Sequence, residues 1–198
     1  MKPRIAVLAS GGGTNLQAIL ERLARNGEAE AEIAVVASNR EGAGALDRAR
    51  KHGVPVEVFD SSDDGTELLD LLQRHSVQLV ALAGYLKRIP PLVTAHFRGR
   101  IINVHPGPLP EFGGEGMYGS RVHAAVLASG ATATAVTVHF VDDEYDHGSV
   151  IAQWPVRVTA EDTVETLAER VLRAEHVVYP RVVEMIAALN AAGLPGDL

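Results

Sequence analysis

A chain of 198 residues, 46% of them apolar and with 19 Gly and 10 Pro, is long enough to bury one substantial core and short enough to need no second domain. Its formal charge of −7 argues against a surface for nucleic acid or anionic membrane, since such partners reward clustered Lys and Arg. With no cysteine there is no thiol nucleophile, zinc-cysteine site or disulfide, so any chemistry rests on His, Asp, Glu, Asn and the backbone.

The opening "MKPRIAVLASGGGTN" has too short an apolar stretch for a signal segment, and no run approaches a membrane span, so the cytoplasm is the expected compartment. Apolar runs then alternate with amphipathic stretches, the pattern of a Rossmann-like, mostly parallel α/β sheet with helices on both faces. The first strand is expected at residues 4–9 and a helix at 14–25, with Leu16, Ile19, Leu20 and Leu23 on one face. A strand over 32–38, a helix over 43–53 stopped by Gly53 and a strand over 54–60 follow. "SSDDGTELLDLLQRHS" offers caps before a periodic helix, and 77–84 reads as a central strand. A short helix after Pro90 and Pro91 leads to a strand over 100–105. Residues 111–120, with four glycines in ten, read as a flexible loop. A helix over 120–130, strands over 134–141 and 149–158, and a helix from about Thr163 to Leu189 complete a single domain over 1–198. The tail "NAAGLPGDL" is expected to be dispensable.

"LASGGGTNLQ" joins the first strand to the first helix, where free backbone N–H groups and the helix dipole favour an anion. Gly13 lets the backbone come close, and Thr14 and Asn15 add donors; a plain tight turn capped by Thr14 is the competing reading. Leu16 stands where a third glycine of a dinucleotide fingerprint would be, and no Gly-Lys-Ser/Thr follows. The second strand ends in "SNR" without a ribose-binding acid, which leaves only Arg40 to support a dinucleotide. A phosphate monoester fits better.

In "RIINVHPGPLP", Asn103 and His105 occupy alternate positions on a strand and so share a face, at the end where open α/β sheets bind ligands. Asn offers a neutral donor and His a donor or a proton, which suits an oxyanion forming on an attacked carbonyl; satisfying strand-end backbone is the bland alternative. In "VDDEYDHGS", Asp142, Asp143 and Glu144 read as solvated surface, whereas Asp146 precedes the sharp return His147-Gly148 and is the candidate to face inward. A carboxylate there is expected to favour the imidazolium form of His105. Neither His139 nor His147 has metal-site spacing, and no metal is expected.

Together "VLASGGGTNLQAIL", "VALAGYLKRIPP", "INVHPGPLPEFGG", "VTVHFVDDEYDHGSVIAQ" and "AEHVVYP" resemble, in this order and over nearly the full length, the folate-dependent phosphoribosylglycinamide formyltransferase family of purine synthesis. The resemblance implies transfer of a formyl group from 10-formyltetrahydrofolate as cosubstrate to the amine of glycinamide ribonucleotide; separately, a monomer or homodimer is expected. It puts the phosphate loop on Gly13, Thr14 and Asn15 and the catalytic trio on Asn103, His105 and Asp146. It further implies a folate pocket lined by Leu86, Lys87, Arg88 and Ile89 and closed by 141–146, with Val141 and Asp142 in contact, and a glutamate near the amine at Glu175. Residues 1–100 would hold the phosphate and 101–189 the catalytic and folate parts. From the sequence alone Glu175 is an ordinary helix-surface charge, and Lys87 and Arg88 are either partners of a folate glutamate tail or solvated. Gly107 stands where the family often has serine, the loop 111–120 is longer than the common form, and His123 reads as a helix-start residue packing on that loop. The implied chemistry is amine attack on the formyl carbon, the oxyanion held by Asn103 and protonated His105, and Asp146 moving a proton through water. Methionyl-tRNA formyltransferase and formyltetrahydrofolate deformylase are expected to need further domains, and a phosphosugar-binding module without turnover is the rival from another class.

Overall fold

The computed structural model describes residues 2–25 and 31–193. The last five residues of the tail expected to be dispensable lie outside them. Seven strands form one sheet in the order β3-β2-β1-β4-β5-β6-β7: β1 Arg4–Leu8, β2 Glu32–Ser38, β3 Val56–Val58, β4 Leu79–Leu82, β5 Ile101–His105, β6 Ala133–Phe140 and β7 Val150–Arg157. The first five are mutually parallel, and β6 and β7 each run antiparallel to the preceding strand. β1 and β4 are buried along almost their whole length, as strands covered on both faces must be.

Six helices cover the sheet: α1 Thr14–Arg25, α2 Gly44–Lys51, α3 Thr66–Arg74, α4 Pro91–His96, α5 Ser120–Ala128 and α6 Val164–Ala191. One core joins Leu16 and Ile19 of α1, Leu46 of α2, Val122 and Val126 of α5 and Val171, Tyr179 and Val183 of α6. The other joins Leu68, Leu71 and Leu72 of α3 with Val93 of α4, Phe97 and Tyr85. α3 begins where expected because Asp63 accepts from the backbone N–H groups of Gly65 and Glu67. α6 begins with a reciprocal Thr163/Thr166 cap, and its buried Tyr179 donates its hydroxyl to the carbonyl oxygens of Leu82 and Ile102. That hydroxyl pins the longest helix to the end of β4 and the start of β5.

Several elements are shorter than their apolar runs. β3 covers only three residues of the expected 54–60, and β4 stops at Leu82 because the chain turns away at Gly84. These early endings matter for the site. The chain lays β2 and β3 to one side of β1 and returns to lay β4 on the other, which opens a crevice at the carboxyl ends of β1 and β4.

Candidate active site

A cavity of about 610 Å³ occupies that crevice. Its walls include Asn15, the segment 84–89, Asn103 to Pro106, the loop 114–121, the segment 141–146 and Glu175. Both halves of the chain therefore contribute.

β5 ends at His105 because Pro106 has no N–H to continue the ladder. Asn103 and His105 project together, as alternation requires. The His105 Nε2 lies 2.8 Å from the Phe112 carbonyl oxygen, which can only accept, so Nε2 carries the proton. Its Nδ1 faces Asp146 Oδ2 at 3.5 Å. Asp146 Oδ1 lies 3.5 Å from Nε2 of His139, and the Gly114 N–H donates to Asp146 Oδ2 at 3.0 Å. Asp146 has φ 56, the left-handed region, and its carboxylate turns toward His105 and His139.

Asp146 does pull His105 toward imidazolium, as expected, but it is not the dominant influence. Burial of His105, only 3% exposed, is the largest influence on its pKa and lowers it, outweighing the upward pulls of Asp146 and of the Phe112 bond. The resting ring is neutral. Asp146 is also raised by burial, but the two imidazoles beside it, His139 and His105, whose protonation its charge would balance, and the Gly114 N–H together hold it below the usual carboxylate range.

His139 is a residue that sequence reasoning passed over. It stands opposite Asn103 in the β5/β6 ladder, and its Nδ1 donates to the Phe140 carbonyl at 2.7 Å. Its Nε2 then accepts from Asn103 Nδ2 at 3.1 Å, which fixes the amide with its second N–H free. Only the strand pairing reveals this contact, and no spacing in the sequence carries it.

The loop 111–120 lies outside the regular elements as expected, save for Ser120 at the start of α5, and it is tied to the site near its beginning. Phe112 is buried, and the backbones of Phe112 and Gly114 supply the bonds that hold His105 and Asp146. A Cβ on Gly113 would come within 2.4 Å of Leu109 Cδ2 and 3.0 Å of Asp146 Cβ. The glycine at 113 serves close approach. Gly107 likewise has no room for a serine in this arrangement, since a Cβ there would meet Val122 Cγ1 at 2.6 Å.

At the other end of the cavity, Glu175 is buried and accepts from Asn15 Nδ2 at 2.6 Å. Burial pushes its carboxyl up to about 7 against the single opposing bond from Asn15, so it is no ordinary surface charge. Gly13 has φ 73, and a Cβ would lie 2.6 Å from Ala45 Cα, so this glycine is required by the approach of α2 to the loop. The Arg48 Nε donates to the Gly12 carbonyl at 2.7 Å on the same side. Thr14 turns away from the main cavity into a separate depression with Arg22, Arg48 and Arg181.

Leu86, Lys87, Arg88, Ile89, Val141 and Asp142 all border the main cavity, with Ile89 buried and Leu86 to Arg88 exposed at its lip. Ser10, at the end of β1, holds this segment by accepting the Leu86 N–H and donating to Asn39 Oδ1. Of the outer acids, Asp142 pairs with His147 and Asp143 accepts from the Thr94 hydroxyl. His123, expected only to pack on the loop, is buried inside α5 and borders the cavity. No group of three or more His, Cys, Asp or Glu among the described residues is arranged to hold a metal ion. No helix among them is long and apolar enough to cross a membrane.

Comparison with known proteins places this geometry. Residues 3–183 match the formyl transferase family model. The chain is 44% identical over 192 residues to the chloroplastic phosphoribosylglycinamide formyltransferase of Arabidopsis thaliana, a match covering 93% of this chain and 65% of that protein. The chain thus spans about two thirds of the length of this curated plant relative. Among solved structures, it is similar to phosphoribosylglycinamide formyltransferase from Anaplasma phagocytophilum (TM-score 0.87, 36% identity, covering 94% of this chain and 87% of that one). It is also similar to glycinamide ribonucleotide transformylase 1 from Geobacillus kaustophilus (TM-score 0.86, 36% identity, covering 94% and 100%). With the family model matched over residues 3–183 and the fold shared over 94% of the chain, the chain belongs to the formyl transferase family.

Proposed function

We propose that this protein transfers the formyl group of 10-formyltetrahydrofolate to the primary amine of glycinamide ribonucleotide. The observation that carries the proposal is the meeting of Asn103, His105 and Asp146 at one wall of a cavity that also reaches Asn15 and Glu175. The loop at Gly13, Thr14 and Asn15 anchors the ribonucleotide phosphate through its backbone, since the Thr14 side chain faces the neighbouring depression and the Asn15 amide is held by Glu175, which lies near the amine. Leu86 to Ile89, with Val141 and Asp142, hold the folate, and Lys87 and Arg88 at the lip meet its anionic tail. Residues 1–100 thus supply chiefly the phosphate end and 101–189 the catalytic end, with Leu86 to Ile89 and Glu175 crossing over. The protein works in the cytoplasm as a monomer or homodimer, which fractionation and sedimentation test.

The chemistry follows from the protonation states. The amine nitrogen bonds to the formyl carbon, and the carbonyl electron pair moves onto oxygen, where the free Asn103 N–H meets it. His105 starts neutral with an open Nδ1, so it takes the proton that the attacking nitrogen sheds, directly or through water, and Asp146 stabilises the resulting imidazolium. That proton passes to the departing folate nitrogen as the carbon–nitrogen bond breaks. No covalent enzyme intermediate is needed.

The test is to measure consumption of 10-formyltetrahydrofolate with glycinamide ribonucleotide, with glycinamide alone and with neither. Turnover should depend on the ribonucleotide, because a remote phosphate anchor positions the amine for attack. Equal rates in all three would make the protein a deformylase. Saturable binding without turnover would make it a phosphosugar-binding module.

A further inference from the structure

His123 is a buried polar side chain at the cavity wall to which the reaction above gives no task. It is 4% exposed and belongs to the first turns of α5. The preceding Val122 presses on Gly107, two residues beyond His105, so the two imidazoles are neighbours. The His123 Nδ1 is sealed from solvent and has no hydrogen-bond partner among the described residues. Since the ring borders the cavity and Nε2 is not among the sealed, unpartnered atoms, Nε2 is the nitrogen that opens inward.

A neutral imidazole has one proton to place. Burial, and secondarily the nearness of the His105 ring, which would compete with it for positive charge, lowers the pKa of His123 and keeps it neutral. A sealed lone pair is commoner than a sealed orphan N–H, so the proton belongs on Nε2 and Nδ1 carries the lone pair. His123 thus faces the cavity as an uncharged donor, which calls for an acceptor oxygen. Its location narrows the choice of oxygen. α5 shares its core with α1 and α6, the helices bearing Asn15 and Glu175, whereas Tyr85, Ile89 and Val141 of the folate wall belong to the opposite core.

We infer that His123 donates its Nε2–H to the carboxamide oxygen of the glycinamide acceptor, one carbon from the attacking amine, and so holds that amine beside His105. The inference rests on the function proposed above and names a contact that selects the acceptor.

Two measurements test it. Two-bond proton–nitrogen spectra of the histidine-labelled full-length protein should show His123 as the Nε2–H tautomer; the Nδ1–H tautomer would overturn the inference without any variant. Steady-state kinetics should show that His123→Phe raises the KM for glycinamide ribonucleotide about tenfold, the worth of one hydrogen bond, while the KM for 10-formyltetrahydrofolate stays within about twofold. His123→Gln, which keeps an N–H donor, should recover much of the loss. An unchanged ribonucleotide KM in the Phe variant, or a rise confined to the folate KM, would refute the contact while leaving the transferase reading intact. A wild-type protein that forms no formylated ribonucleotide would instead remove both.

Discussion

At the scale of single residues the site depends on which nitrogen holds a proton. Three carbonyl or amide contacts decide it: Phe112 takes the proton side of His105, Phe140 that of His139, and Asn103 fills the remaining acceptor on His139. Asp146 is the carboxylate that faces His105 Nδ1 and so the group that makes its imidazolium tolerable under burial. His105→Ala and Asp146→Asn should each reduce kcat by about 10²–10³, the usual worth of a preorganised electrostatic contact. Their combined loss should fall well short of the product, because the two move one proton together. A double variant that multiplies the single losses would show that they act independently. Asp146→Asn should also lower the pH at which the His105 ring titrates by NMR, since burial then acts without its counterweight. An unchanged titration would mean that the carboxylate does not stabilise the ring.

At the scale of elements, the loop and the hairpin deliver Asp146. The turn between β6 and β7 passes Gly148, where a Cβ would stand 2.0 Å from the Phe140 carbonyl oxygen. That oxygen is backbone at the end of β6 and cannot swing aside as a side chain does. Gly148→Ala should therefore displace the 141–146 segment, costing about 1–3 kcal/mol of stability and lowering kcat through Asp146. Gly42→Ala makes a suitable control, because a Cβ there meets nothing within 4 Å. Thermal unfolding and kcat for the pair decide the matter: equal behaviour of the two variants would show that the hairpin relaxes freely. Gly13 needs a similar reading. A side chain at Gly13 would strike α2 first, so such a variant reports on loop packing, and Asn15→Ala is the cleaner probe of the ribonucleotide end.

At the scale of the whole molecule, the buried Glu175 couples folding to pH. Its folded value of about 7 lies above the ordinary 4.5, so the folded chain binds the extra proton between those values. The contribution is fully present below pH 4.5 and is lost as pH rises through about 7, the reverse of a salt-bridged carboxylate. The unfolding free energy of Glu175→Gln relative to wild type should then increase by about 3 kcal/mol between pH 4.5 and pH 8, measured by urea titration. A difference that stays constant across this range would mean that Glu175 ionises in the fold as it does in the unfolded chain.

The elements were legible from local chemistry because each carries its own signal: α1 its apolar stripe, α3 its Asp caps, β5 its stop at Pro106. Alternation alone put Asn103 and His105 on one face, since a strand admits no other arrangement. The ordered motifs pointed to the family for the same reason, as they are contiguous in the chain. The pairing of His139 with Asn103, the burial of Glu175 against Asn15 160 positions away and the sealing of His123 were decided only by the tertiary structure. So was the neutral resting state of His105. A charge pair is visible as two letters, but the desolvation that outweighs it comes from elements remote in sequence, and burial is a property no segment possesses until the others have packed around it.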